Sequence, residues 1–137
     1  MDETRRETLP GTKPMRVLLI DDGIDDGLLV KRALMKQGQT DVHQVRSGRA
    51  GLETLSTRDF DLCLVDHRLP DCDGLQLLRQ LRPLGRAKHF AMVTSNRSEA
   101  VAQAAFDAGA VALLYKDLAY EQKIRGLIDR LRRGDAP

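Results

Sequence analysis

FDLCLVD (residues 60–66) is a short, nearly unbroken apolar run that closes on a carboxylate. A run of this kind reads as a β-strand buried on both faces, the strand type of a parallel sheet. The same design recurs on either side of it. VLLI (17–20) hands over to Asp21 and Asp22, FAMV (90–93) to Thr94, and VALLY (111–115) to Lys116. Four buried strands would deliver three carboxylates, a hydroxyl and an ammonium to one edge of a sheet.

Helical patterns separate the runs. Strands are expected at about 15–21, 41–46, 60–66, 89–94 and 110–115, and helices at about 26–37, 48–56, 74–82, 98–108 and 119–133. Asp25 or Asp26 caps the first helix and Gly38 stops it; Asp73 caps the third, and Ser98 opens the fourth. Ile124, Leu127, Ile128 and Leu131 form the stripe of a helix lying on a sheet. The second strand (DVHQVR) is weakly apolar, which suits an edge. Alternating βα units imply an α/β doubly wound sandwich, and the flavodoxin-like (βα)5 arrangement has parallel strand order 2-1-3-4-5. Its ligand crevice lies at the carboxyl ends of strands one and three. Asp21, Asp22 and Asp66 end those strands. Residues 1–14, with Pro10, Gly11 and Pro14, read as a flexible tail, residues 15–133 as one domain, and 134–137 as a short C-terminal tail.

With 42% apolar and 31% charged residues, the 137-residue chain can bury a core and stay soluble. It has no apolar stretch of membrane-spanning length and no signal-peptide core, so the expectation is a cytoplasmic protein with no membrane partner. A net charge of +2 does not call for nucleic acid. The basic residues Lys123, Arg125, Arg130, Arg132 and Arg133 lack interleaved aromatics and read as a solvated helix face. Cys63 reads as core and Cys72 as a loop thiol, while His43, His67 and His89 lack zinc spacing. No GxxxxGK[ST] or GxGxxG is present.

Carboxylates crowded in a crevice repel by roughly 4 kcal/mol per pair at 4 Å, unless they protonate or take a cation. An all-oxygen donor set fits Mg²⁺ (or Mn²⁺), which is commonly completed by phosphate. Thr94 and Lys116 suit the remaining phosphoryl oxygens. Asp66, on the central strand, is the best candidate for a nucleophile that forms an aspartyl phosphate. Asp25, Asp26, Asp71 and Asp73 read as caps or turn formers.

LLIDD (18–22), LCLVDHRLPDCDG (62–74), MVTS (92–95) and LLYKD (113–117) together resemble a bacterial two-component response-regulator receiver domain over about 15–133. DDGLLVKRAL (25–34) is also similar to a subgroup of single-domain receivers that includes regulators paired with phytochrome kinases. The resemblance implies Asp66 as the phosphorylated residue. It implies Asp22 as a direct Mg²⁺ ligand, Asp21 as a neighbour acting largely through water, and the backbone carbonyl of Arg68 as a further ligand. Thr94 and Lys116 would be the switch pair. A histidine kinase or phosphotransfer protein would be the donor, with output through an unnamed protein or a homodimer. Only 21 residues follow Lys116, so a stand-alone receiver is expected.

Three positions depart from the family pattern. Asp117 stands where proline usually follows the lysine, and it adds a negative charge. Leu113 stands where an aromatic switch residue is usual, with Tyr115 on its own face of the strand. Arg68 sets a long cation beside the site. Two other readings follow: a receiver-fold interaction module that works without phosphorylation, and an aspartyl-phosphate phosphatase. The second would need an Asp two residues past the nucleophile, where Arg68 stands.

Overall fold

The computed structural model describes residues 14–35 and 40–134. The N-terminal tail before Pro14, the Gly38 stop and the C-terminal tail beyond Gly134 lie outside them. The strands are β1 (Met15–Ile20), β2 (Thr40–Val45), β3 (Phe60–Asp66), β4 (Ala87–Thr94) and β5 (Ala112–Tyr115). The helices are α1 (Ile24–Met35), α2 (Gly48–Leu55), α3 (Gly74–Leu81), α4 (Glu99–Asp107) and α5 (Tyr120–Arg133). The strands form one parallel sheet in the order β2-β1-β3-β4-β5.

Strand alternation sorts the core into two layers. Leu18, Ile20, Cys63, Val65, Phe90 and Met92 face α2, α3 and α4 through Leu55, Leu77, Leu78, Leu81 and Ala105. Val17, Leu19, Leu62, Leu64, Ala91 and Val93 face α1 and α5 through Val30, Leu34, Ile124, Leu127 and Ile128. Apolar burial on both faces of β1, β3 and β4 supplies the main stabilisation, roughly 1.5–3 kcal/mol for each fully buried large aliphatic side chain.

Several boundaries differ from expectation. Helix α1 starts at Ile24, with Gly27 N–H donating to Gly23 O at 3.1 Å. Asp25 and Asp26 therefore lie inside its first turn and are not its cap. Strand β4 begins at Ala87 because Ala87 pairs with Phe60. Strand β5 is shorter: Ala110 N–H turns back to Ala105 O at 3.0 Å, and Val111 N–H reaches Phe90 O at 2.7 Å. Asp73 caps α3 by accepting from Leu75 N–H at 2.7 Å, and Ser98 caps α4. Asp71 instead serves the start of α2, accepting from Gly48 and Arg49 N–H at 2.8 and 3.0 Å. These amides hold its carboxyl below the usual range.

Candidate functional site

The β1–α1 loop is fixed by the edge strand beside it. Gln44 Nε2 donates to the carbonyls of Asp21 (2.7 Å) and Gly23 (3.0 Å). Arg46 donates to the carbonyl of Asp22 at 3.1–3.2 Å. A Cβ on Gly27 would meet Gln44 Oε1 at 1.9 Å, so that glycine leaves room for the clamp. The weak second strand thus holds the acidic loop in place.

Asp21 and Asp66 are buried at the ends of β1 and β3, while Asp22 is exposed. Each of the three offers a carboxylate oxygen within 4.8 Å of the others. Lys116 Nζ enters from the end of β5 and lies 3.2 Å from Asp21 Oδ2, 2.8 Å from Asp26 Oδ2 and 3.1 Å from Asp66 Oδ2. Asp26 is therefore part of the site, not a helix cap. Its place in the first turn of α1 aims its carboxylate at the ammonium.

Burial pushes the Asp21 carboxyl up from an ordinary 3.8 to about 6; the Gly23 N–H and Lys116 oppose this, and Asp66 and Asp26 add to it. Burial also raises Asp66, against the pull of Lys116 and the Arg68 backbone N–H. For Lys116, burial works against the charge, but Asp26, Asp21 and Asp66 outweigh it and the ammonium is held above its usual range.

Asp21 Oδ1 accepts from Gly23 N–H at 2.8 Å, whereas buried Oδ2 has an ion pair but no well-aligned hydrogen bond. Three clustered oxygens with one buried oxygen short of a donor fit a hard divalent cation. Asp21, Asp22 and Asp66 would hold it.

Asp66, His67, Arg68, Thr94, Ser95, Asn96 and Lys116 line a cavity of about 390 Å³ above the carboxylates. Thr94 is buried, and its Oγ1 lies 3.0 Å from His67 Nδ1 and accepts from Asn96 N–H at 2.9 Å. His67 has no zinc spacing, and its place directly after Asp66 is the one signal in the sequence for this contact.

The departing positions also have partners. Asp117 gives one carboxylate oxygen to Arg97 at 2.5 Å and the other to Ala119 N–H at 2.9 Å. Arg97 chiefly holds its carboxyl below the usual range. The extra negative charge is thus neutralised outside the cavity. Lys116 N–H bonds Thr94 O at 3.0 Å, so the lysine keeps its place without a following proline. The Arg97 guanidinium sits 4.4 Å from the Tyr115 ring centroid. Leu113 packs, half-buried, on the α2–α4 side of the sheet. Arg68 is exposed at the cavity wall, where its backbone bridges to Asp73.

Comparison with known proteins agrees with this architecture. Residues 17–128 match the family profile of the response regulator receiver domain. The autoinducer 2 sensor kinase/phosphatase LuxQ of Vibrio cholerae is 34% identical over 110 residues, covering 77% of this chain and 12% of that protein. The response regulator MprA of Mycolicibacterium vanbaalenii is 31% identical over 120 residues, covering 88% of this chain and 52% of that protein. The chain thus spans about half or less of these relatives. A CheY-like receiver domain protein from Methanospirillum hungatei superposes with a TM-score of 0.74 at 27% identity, covering 88% of this chain and 92% of that one. Sequence, topology and the acidic crevice agree, and the chain belongs to the response regulator receiver domain family.

Proposed function

We propose that this receiver accepts a phosphoryl group on Asp66 from the phosphohistidine of a kinase or phosphotransfer protein in the cytoplasm. The observation that carries the reading is the position of Asp66. Its carboxylate ends the central strand, opens on the cavity and touches Lys116 at 3.1 Å. A carboxylate oxygen of Asp66 attacks phosphorus as the P–N bond to the donor imidazole breaks, and the imidazole leaves as a neutral ring that keeps the proton on its other nitrogen. Lys116 is placed to offset charge on the phosphoryl oxygens. Asp21, Asp22, Asp66 and the Arg68 carbonyl would hold Mg²⁺, which would supply further charge neutralisation at the phosphoryl oxygens. The doubly charged product draws in Thr94 and Lys116, and output passes through a partner protein or a second copy of the chain.

Incubation with Mg²⁺ and a small phosphodonor tests this. Intact mass is expected to show one phosphoryl adduct, lost in Asp66→Asn. An adduct that survives Asp66→Asn would place the chemistry elsewhere. No adduct at all would favour an interaction module without phosphorylation, the reading to which Leu113 lends weight.

The raised Asp21 carboxyl gives a second expectation. Between an ordinary 3.8 and about 6, the folded state holds a proton that the unfolded chain has released. Asp21 thus contributes stability at low pH that is lost as pH rises through about 6. A divalent cation must displace that proton. Added Mg²⁺ is therefore expected to raise the melting temperature more at pH 8 than at pH 5. An equal or larger rise at pH 5 would remove Asp21 from the ligand set.

A further inference from the structure

We propose that His67 is a positioning residue that fixes the resting place of the Thr94 hydroxyl, so that phosphorylation must break their bond. This rests on the receiver reading of Asp66. Both side chains are buried, with His67 7% and Thr94 1% exposed, so water does not compete freely for their 3.0 Å contact.

Both partners sit at strand ends that the backbone holds. His67 is pinned through its backbone on both sides: its N–H donates to Val93 O at 2.8 Å, and its carbonyl accepts from Gly74 N–H at 2.7 Å. Thr94 closes β4 with its carbonyl bonded to Lys116 N–H at 3.0 Å, and the residues after it, Ser95 to Ser98, are all exposed. Both backbones are held, so rotation of the Thr94 hydroxyl, next to an exposed loop, is the change open to this contact.

Proton counting sharpens the competition. The Thr94 hydroxyl carries one hydrogen, and its oxygen already accepts from Asn96 N–H. A phosphoryl oxygen offers only acceptor sites, so the hydroxyl must turn that hydrogen toward it. In the tautomer that carries its proton on Nε2, His67 Nδ1 takes the same hydrogen at rest. In that tautomer the two bonds exclude each other. His67 thereby favours the resting arrangement, and its loss shifts the population toward the active one.

Beryllofluoride with Mg²⁺, which mimics a phosphoryl group on a carboxylate, reads this directly. His67→Leu keeps the volume and removes the acceptor. It is expected to tighten beryllofluoride binding about fivefold, the weight of one ordinary hydrogen bond. His67→Asn can place an oxygen near Nδ1 and is expected to stay within about twofold of wild type. In a Thr94→Val background, His67→Leu is expected to change nothing. An unchanged affinity in His67→Leu, or the same gain with Thr94→Val, overturns the proposal.

Ring ¹⁵N NMR on the wild type guards against a variant that fails to fold. The Nδ1 signal is expected to shift as beryllofluoride saturates the site, and an unmoved signal also overturns the proposal. A wild type that binds no beryllofluoride would sink the Asp66 reading itself, and the His67 proposal with it.

Discussion

Replacing Gly74 with alanine is expected to cost about 3 kcal/mol or more and to displace Asp66. A Cβ at this position would lie 2.1 Å from Asp66 O, and 2.9 Å from both Asp66 C and His67 Cα. All three atoms are backbone, so no side chain can swing away. Gly74 is not among the glycines with positive φ, so the requirement is space, not conformation. Its N–H donates to His67 O at 2.7 Å, which draws the start of α3 against the end of β3. Either the helix backs away and this bond lengthens, or the strand end moves and takes the Asp66 carboxylate with it. Urea unfolding measures the first effect and phosphodonor labelling the second. Gly126 provides the contrast, because a Cβ there would meet only Arg130 Nη1, at 4.0 Å. Gly126→Ala lies inside α5 and is expected to add roughly 0.5–1 kcal/mol. Equal effects at the two glycines would contradict the crowding argument.

The strand ends were readable in the sequence because burial and polarity change abruptly there. LCLV followed by Asp66 leaves little choice of element, and the flavodoxin-like order then places Asp21 beside Asp66. Asp26 escaped because its role depends on a helix boundary. A start two residues earlier carried it from the expected cap into the first turn, within reach of Lys116, which is 90 positions away in the chain. Boundaries of this kind are set by tertiary contacts that local periodicity does not encode. Asp117 looked unfavourable because its partner, Arg97, lies 20 residues earlier in another loop. Gly74 was legible as a helix start, but the close approach of two backbones that requires it was not. In each case the missing information was a distance between segments remote in sequence.

Lys116→Met should produce the other large effect, and its pH dependence is more telling than its size. The ammonium lies within 3.2 Å of carboxylate oxygens from Asp21, Asp26 and Asp66, two of which are buried. Removing it leaves these charges facing one another, and breaking a buried charge cluster costs on the order of 3–5 kcal/mol. In the wild type, Lys116 opposes the upward shifts of Asp21 and Asp66, so both carboxyls should rise further in the variant. A carboxyl raised above its unfolded value contributes stability at low pH that is lost as pH rises through the folded value. The gap between wild type and variant should therefore be small near pH 5, where the carboxylates can protonate, and widen by pH 8. Over that range the wild-type ammonium stays charged, because its neighbours hold it above its usual range. Added Mg²⁺ should recover more stability in the variant than in the wild type, since the cation would take over the lost neutralisation. Chemical unfolding of both proteins at the two pH values, with and without Mg²⁺, measures these differences. A pH-independent gap would mean that Lys116 acts through packing of its stem and not through its charge.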